Sequence, residues 1–170
     1  MYGISVFPSK EIEQFANHYR RRYDPHYPNI RPHLSLIRKE AWSEEQLQSI
    51  IGRITGALAG MKRSELHFNR FSTFYPVQNV IFMALSDPYP IQRLYDTIQG
   101  VLLPGEHTNK PAAFTPHLTV AQGLGNDELH DVLSSLRNTR LDLRCVVDSV
   151  SVLQQNKDGL WNELQTIALK

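Results

Sequence analysis

One short motif occurs twice in this chain, and the spacing of its two copies constrains the fold more than any other feature. Pro32–Ser35 reads Pro-His-Leu-Ser and Pro116–Thr119 reads Pro-His-Leu-Thr, about half a chain length apart in 170 residues. The segments around both copies follow the same order of strand and helix character. Such a repeat predicts two similar lobes related by a pseudo-twofold axis, with the repeat boundary near residues 76–79.

Four segments of the chain carry apolar residues at helical spacing, and each follows a helix start signal. In the second segment, Ser43 and Gln46 form a capping-box pattern, and Gly60 marks the end. The apolar residues of each segment share one face, so we expect each helix to cover a sheet. The predicted helices begin at Ser9, Ser43, Asp87-Pro88 and Asn126.

Short segments of strand character lie between the helices. The last two are separated by Asn156–Gly159, whose Asp-Gly pair can supply the positive φ angle of a hairpin turn. At this length the chain is expected to form one domain, residues 1–170, with two lobes that share a core. The predicted strands are Tyr2–Phe7, Leu34–Ile37, Leu66–Tyr75, Asn79–Leu85, Leu118–Ala121, Leu141–Leu153 and Leu160–Leu169.

The two motifs carry the chemistry. In a strand, residues i and i+2 point to the same face, so His33 lies beside the hydroxyl of Ser35. His117 lies beside Thr119 for the same reason, and the intervening leucines point into the core. Each motif therefore offers one proton carrier and one hydroxyl that can donate to a phosphate oxygen.

Histidine titrates near neutral pH, so one copy can remove a proton while the other protonates a departing oxygen. A cyclic phosphodiester suits such a site, because ring strain lowers the barrier and makes a Lewis-acid metal dispensable. Either motif alone is also a plausible half-buried strand with no function. It is the occurrence of two copies at the repeat spacing that favours a catalytic role for His33 and His117.

A zinc site is the main rival, but zinc normally needs about three or four ligands. No carboxylate or thiol stands at a fixed short spacing from either motif, so we expect no metal and no other cofactor. The remaining histidines are expected to be surface or structural residues. His18 and His130 fall in predicted helices, and His26, His67 and His107 lack the motif.

The composition limits which binding partners and which cellular location are expected. The net charge is +1, so no field of the whole molecule would draw it to duplex DNA or to an anionic membrane. Any phosphate recognition must therefore be local. No apolar run can span a bilayer and the N-terminus does not resemble a signal peptide, so a cytoplasmic location is expected. The single cysteine, Cys145, cannot form an internal disulfide.

The two motifs resemble the signature of the two-histidine (2H) phosphoesterase superfamily, which includes the bacterial RNA 2′,3′-cyclic phosphodiesterases related to LigT. Residues 3–9, 19–25 and 74–81 resemble the YjcG-like group of phosphoesterases from Gram-positive bacteria, which is named by motif rather than by activity, so the resemblance implies no particular substrate. The resemblance implies a bilobal α+β fold, with antiparallel sheets lining a central cleft and helices outside. It also implies catalytic residues His33 and His117, with Ser35 and Thr119 binding phosphate. Ser35 stands where threonine is more usual, and it keeps the hydroxyl.

Several further residues are ambiguous in the sequence. Basic residues beside the first motif could hold a terminal phosphate or a nucleic-acid backbone, or could form a solvated edge. Arg20–Arg22 end a predicted helix, where they complement its dipole. Phe71, Phe74 and Tyr75 could stack a base, but core packing is the favoured role. The basic residues in question are Arg31, Arg38 and Lys39.

The leading hypothesis is metal-independent hydrolysis of a cyclic phosphodiester, specifically a 2′,3′-cyclic phosphate on an RNA end or a nucleotide. The alternative is a non-catalytic module that binds a nucleotide or RNA end in the same cleft. Ligation, the reverse reaction, is a third possibility. The sequence alone leaves open the substrate, the role of each histidine and the oligomeric state.

Overall fold

A computed structural model describes residues 1–170, which form eight strands and four helices. The elements are β1 (Tyr2–Val6), α1 (Lys10–Tyr23), β2 (Leu34–Glu40), α2 (Glu44–Leu58), β3 (Ser64–Thr73), β4 (Ile81–Leu85), α3 (Tyr89–Gln99), β5 (Leu118–Ala121), α4 (Asn126–Arg137), β6 (Leu143–Val147), β7 (Ser149–Gln155) and β8 (Trp161–Ala168). The predicted α+β fold class is confirmed. None of the helices has the length and apolar character needed to cross a membrane.

The strands form two antiparallel sheets of four strands each, and the strand orders of the two sheets correspond. The first has the order β2-β1-β7-β8 and the second the order β5-β4-β3-β6. In each sheet, the strand that follows the histidine motif is an edge strand. These two edge strands, β2 and β5, contact each other. The bilobal arrangement therefore brings the two motifs to the junction of the sheets.

The sheets exchange strands between the two halves of the chain. β3 comes from the first half but pairs with β4 in the second sheet, whereas β7 comes from the second half and pairs with β1. The prediction of one strand over Leu141–Leu153 is wrong for this reason. Asp148 separates β6 from β7, and the two belong to different sheets. No glycine or proline marks the break, which depends on distant pairing partners.

The start signals of α1 and α2 and the turn of the last hairpin are confirmed, whereas the N-cap of α4 is Gly125 rather than Asn126 and makes no side-chain capping bond. Ser9 Oγ accepts a hydrogen bond from the Ile12 amide (3.4 Å) at the start of α1. The capping box of α2 is complete, with both reciprocal bonds formed between Ser43 and Gln46 (3.1 and 3.0 Å). Gly159 has a φ of 83° in the β7–β8 hairpin, a conformation that glycine adopts without steric cost.

A single hydrophobic cluster extends through both halves of the molecule. Leu34 and Leu118, the central residues of the two motifs, are fully buried in it. α2 contributes one apolar face and packs against α3, while α1 packs against β5. Because the leucines are anchored in the core, the residues on either side of them must face away from it. The α2 residues in the core are Leu47, Ile50, Ile51, Ile54 and Leu58.

Candidate active site

A cleft of about 880 Å³ opens beside the junction of β2 and β5. All four residues predicted to form the site line this cleft: His33, Ser35, His117 and Thr119. Each histidine immediately precedes its strand, and each hydroxyl residue is the second residue of it. The i, i+2 alternation therefore places histidine and hydroxyl on the cleft side, opposite the buried leucine. The structure thus brings together the two halves of the predicted site.

The two imidazoles are held in the same way. The Nδ1–H of His33 donates to the carbonyl of Arg31, and that of His117 donates to the carbonyl of Thr115, each at 2.7 Å. A carbonyl only accepts, so Nδ1 must carry the proton and Nε2 carries the lone pair in the neutral ring. The proline before each histidine restricts the residue that supplies this carbonyl to extended conformations. The motif therefore fixes the tautomer as well as the direction of the ring.

The cleft favours the neutral form of both histidines, because it lowers the pKa of each. Burial lowers the pKa of His33 to about 4, because the charged ring would lose water. The hydrogen bond to Arg31 opposes this lowering, while the charge of Arg20 adds to it. Burial also lowers the pKa of His117, opposed by the hydrogen bond to Thr115 and assisted by the charge of Arg38. An anion between the rings would reverse this balance in favour of the charged form.

Aromatic side chains surround the second histidine more closely than the first. His117 lies edge-on to Phe74 at 4.9 Å and to Phe82 at 5.5 Å between ring centroids. His33 has one such neighbour, Phe7, at 6.5 Å. The favoured core role for the aromatic residues before the midpoint is therefore wrong for Phe74, which lines the cleft. The core role is confirmed for Phe71, which is buried, and is wrong for Tyr75, which is exposed.

A buried ion pair at the end of α1 connects the two motifs. Arg20 Nε donates to Asp24 (3.3 Å), and Arg20 Nη2 donates to the carbonyl of Ile30 (2.6 Å), three residues before His33. Asp24 in turn accepts from the side-chain amide of Gln122 (2.8 Å), which directly follows β5. Arg20 thus has a role beyond the helix dipole. Helical periodicity predicts that Arg20 shares a face with Ala16, but it does not identify these partners.

Two histidines predicted to be surface or structural residues line the cleft. His26 lies in the loop after α1, and His107 lies in the long loop between α3 and β5. Neither belongs to a motif, so only the path of the loops brings them to the site. The side-chain amide of Gln99 donates a hydrogen bond to Nδ1 of His107 (2.8 Å). His67 bonds Asp142 and lies outside the cleft.

The basic residues beside the first motif have different positions. Arg31 makes two hydrogen bonds to the carboxylate of Glu13 (both 3.1 Å) and covers the ring of Phe7. Arg38 and Lys39 instead line the cleft, and neither forms a salt bridge. All three residues have the same predicted range of roles, and their surroundings in the structure distinguish them.

No three side chains of histidine, cysteine, aspartate or glutamate lie close enough together to hold a metal ion. The one carboxylate that lines the cleft, Asp24, already accepts hydrogen bonds from Arg20, Gln122 and the amide of His26. The polar groups of the site are therefore hydrogen-bond donors, cations and imidazoles. That set suits an anion, and phosphate above all.

Two lobes that each present a histidine and a hydroxyl to one cleft define the class of two-histidine phosphoesterases. The profile of the 2′-5′ RNA ligase superfamily matches residues 8–159. A protein of Halalkalibacterium halodurans named "Putative phosphoesterase" is 34% identical over 173 residues, covering 99% of this chain and 96% of the relative. A protein of Bacillus licheniformis with the same description is 36% identical, covering 99% and 98%.

The structure of E. coli LigT complexed with 3′-AMP matches with a TM-score of 0.71 at 14% identity, covering 99% of this chain and 97% of LigT. At this identity the likeness concerns the fold. The family match covers most of the chain, and the curated relatives match it end to end. The chain therefore belongs to the 2′-5′ RNA ligase superfamily, the two-histidine phosphoesterases, and it is an enzyme of the phosphoesterase class.

Proposed function

We propose that this enzyme hydrolyses a cyclic phosphodiester without a metal ion, and that its substrate is a 2′,3′-cyclic phosphate on an RNA end or a nucleotide. One observation carries the proposal: His33 and His117 line one cleft in the same tautomer, each with a hydroxyl two residues later. The 3′-AMP complex of LigT supports the choice of a phosphorylated nucleoside, because the two proteins share a fold.

The reaction needs one base and one acid. Neutral His33 accepts a proton from water through Nε2 as the water oxygen attacks phosphorus. His117, charged beside the bound phosphate, donates its Nε2 proton to the ribose oxygen as the bond between that oxygen and phosphorus breaks. Ser35 and Thr119 donate hydrogen bonds to the non-bridging oxygens. The product is a phosphomonoester. The lower pKa of His33 favours this assignment of the two roles.

The test uses purified protein treated with a chelator and then incubated with nucleoside 2′,3′-cyclic phosphates and with RNAs that end in the same group. Chromatography identifies the products. We expect conversion to monophosphates without added metal, and its loss in His33→Ala and in His117→Ala. The matched control is His18→Ala, because His18 is an exposed histidine of α1 outside the cleft.

Other outcomes identify the rival functions. Binding of these ligands without turnover would support the non-catalytic module. Loss of activity on chelation, with recovery on adding zinc or manganese, would support a metallohydrolase. Joining of RNA ends would support ligation.

The two histidines need opposite protonation states at the same moment, so the rate should be bell-shaped in pH. In the free enzyme the pKa of each histidine lies below its ordinary value of 6.5. We therefore expect kcat/KM to fall as pH rises above about 6.5. The profile of kcat should lie at higher pH, because the bound phosphate stabilises the charged ring. A kcat/KM that rises steadily to pH 9 would contradict the mechanism.

A further inference from the structure

The strand that carries the first motif contains a β-bulge at its far end. β1 pairs with β2 through Ile4 opposite Ile37 and Tyr2 opposite Glu40. Gly3 alone therefore faces two residues, Arg38 and Lys39. An extra residue of this kind bends a strand and changes the direction of its side chains. In a regular strand, neighbouring residues point to opposite faces, yet Arg38 and Lys39 both line the cleft.

Gly3 is required by this local geometry. A Cβ atom on residue 3 would lie 2.9 Å from the carbonyl oxygen of Arg38 and 3.0 Å from that of Ile37. Both contacts are with backbone, which cannot move aside as a flexible side chain would. The close approach of the two strands at Gly3 and the position of the two cations thus belong to one structural feature.

The charge of this part of the cleft is unbalanced. The chain as a whole has a net charge of +1. Within the cleft, the cation of Arg20 is paired with Asp24, whereas Arg38 and Lys39 are exposed and form no salt bridge. The nearest carboxylate in sequence, Glu40, is buried and accepts hydrogen bonds from the Thr108 hydroxyl (2.7 Å) and the Asn109 amide (2.9 Å). The positive charges of Arg38 and Lys39 are therefore available to bind an anionic ligand.

The position of Arg38 and Lys39 fits an anionic group of the ligand that lies close to the reacting phosphate but is separate from it. Arg38 follows Ser35 by three residues on the same strand, which corresponds to roughly 10 Å of strand length. The arginine side chain can shorten this separation, and its charge is close enough to affect His117. The planar guanidinium donates two hydrogen bonds to phosphate oxygens, while the lysine adds a compact charge.

We propose that Arg38 and Lys39 form a second phosphate subsite, and that the substrate carries a second phosphate group in addition to the one between the histidines. The second group is either an internucleotide phosphodiester or a terminal phosphate of a nucleotide. This proposal rests on the proposed function, but binding of a phosphate group at the subsite can be measured without turnover.

The first experiment measures binding of adenosine 3′-phosphate and adenosine 3′,5′-bisphosphate by calorimetry. We expect the bisphosphate to bind on the order of tenfold more tightly to the unmodified enzyme, the effect of charged hydrogen bonds at one extra phosphate. Arg38→Ala should abolish most of this difference, because its effect on binding of the bisphosphate should be larger than its effect on binding of the monophosphate. Arg93→Ala, an exposed charge on α3 outside the cleft, removes the same charge and should preserve the difference.

Equal affinities of the unmodified enzyme for the two probes, including no measurable binding of either, would overturn the subsite. So would a difference that survives in both Arg38→Ala and Lys39→Ala. If the binding difference is found but no cyclic phosphate is hydrolysed, the subsite stands and the proposed function fails. The two proposals can therefore fail separately.

The second experiment identifies the source of the phosphate. Values of kcat/KM are compared for a 5′-phosphorylated nucleoside 2′,3′-cyclic phosphate, its 5′-hydroxyl form and a dinucleotide that ends in a 2′,3′-cyclic phosphate. Preference for the dinucleotide supports an internucleotide phosphodiester, and preference for the 5′-phosphorylated mononucleotide supports a terminal phosphate. In either case, Arg38→Ala should reduce the preference about tenfold. Equal values for all three substrates would overturn the subsite.

Discussion

The two histidine motifs share a backbone and differ in their surroundings. Both place a buried leucine between the histidine and the hydroxyl, and both bond Nδ1 to a carbonyl two residues back at 2.7 Å. His33, however, is influenced by the charges of the Arg20–Asp24 pair, and its one aromatic neighbour, Phe7, is more distant at 6.5 Å. Around His117 the neighbours are aromatic, with Phe74 and Phe82 against the ring. The repeat thus duplicated the presentation of the imidazole but not its environment.

In the proposed mechanism, this difference would let a near-symmetric site perform an asymmetric reaction. Acid and base catalysis at one phosphate requires two imidazoles in similar positions but different protonation states. The shared backbone provides the similar positions. Burial lowers both pKa values, that of His33 to about 4, and the neighbouring charges that act on the two rings are different. Substitutions in and beside the two motifs should therefore have different effects.

The largest expected effect follows removal of either imidazole. His33→Ala and His117→Ala should each reduce kcat by about a hundredfold to ten-thousandfold, the usual contribution of general acid or base catalysis. The double variant should lose less than the product of the two, because residues that act as one unit are non-additive. Steady-state kinetics on a cyclic nucleotide measures this. Full activity in either single variant would contradict the two-histidine mechanism.

The next effect concerns the ion pair beside the first motif. Asp24→Asn removes the counterion of buried Arg20 and should lower the free energy of unfolding by about 3–5 kcal/mol. Urea unfolding followed by circular dichroism measures this change. The matched control is Glu13→Gln, which breaks the more exposed pair with Arg31 and should cost about 0–1 kcal/mol. Equal losses in the two variants would show that burial of the Arg20–Asp24 pair has no special importance.

The hydroxyls should contribute less than the histidines. Ser35→Ala and Thr119→Val should each raise the activation free energy by about 1.5–3 kcal/mol, the value of one hydrogen bond to a charged group. Ser35→Thr restores the residue found in the second motif and should keep most of the activity, since the hydroxyl is retained. If Ser35→Ala had full activity while Thr119→Val did not, only the second motif would bind phosphate.

The smallest effect concerns the pH dependence of folding stability without ligand. The pKa of His33 is lowered from 6.5 to about 4, so below 6.5 the unfolded chain binds a proton that the folded protein does not. Stability should therefore fall as pH drops from about 6.5 towards about 4, and remain level with respect to this group above that window. His33→Asn should flatten the dependence more than His117→Asn, as thermal unfolding at several pH values would show. An unchanged slope in His33→Asn would contradict the lowered pKa.

The sequence determined the local features of the molecule because they depend on neighbouring residues. Helical spacing and the Ser43 capping box defined α2, and the Asp-Gly turn defined the last hairpin. The i, i+2 alternation in the motifs placed His33 with Ser35, and His117 with Thr119, on one side of a strand. The duplicated motif also indicated two lobes and one shared cleft. These predictions required no knowledge of which strands pair.

Only the tertiary structure decided the features that depend on distant partners. The segment Leu141–Leu153 has continuous strand character, and its division at Asp148 follows from pairing of β6 with β3 and of β7 with β1. Arg20, Arg31 and Arg38 are the same residue type in sequence. They differ because one meets Asp24, one meets Glu13 and one meets the open cleft. Local propensity fixes the form of a segment, whereas burial and pairing energies between distant residues fix where its side chains lie and what they can do.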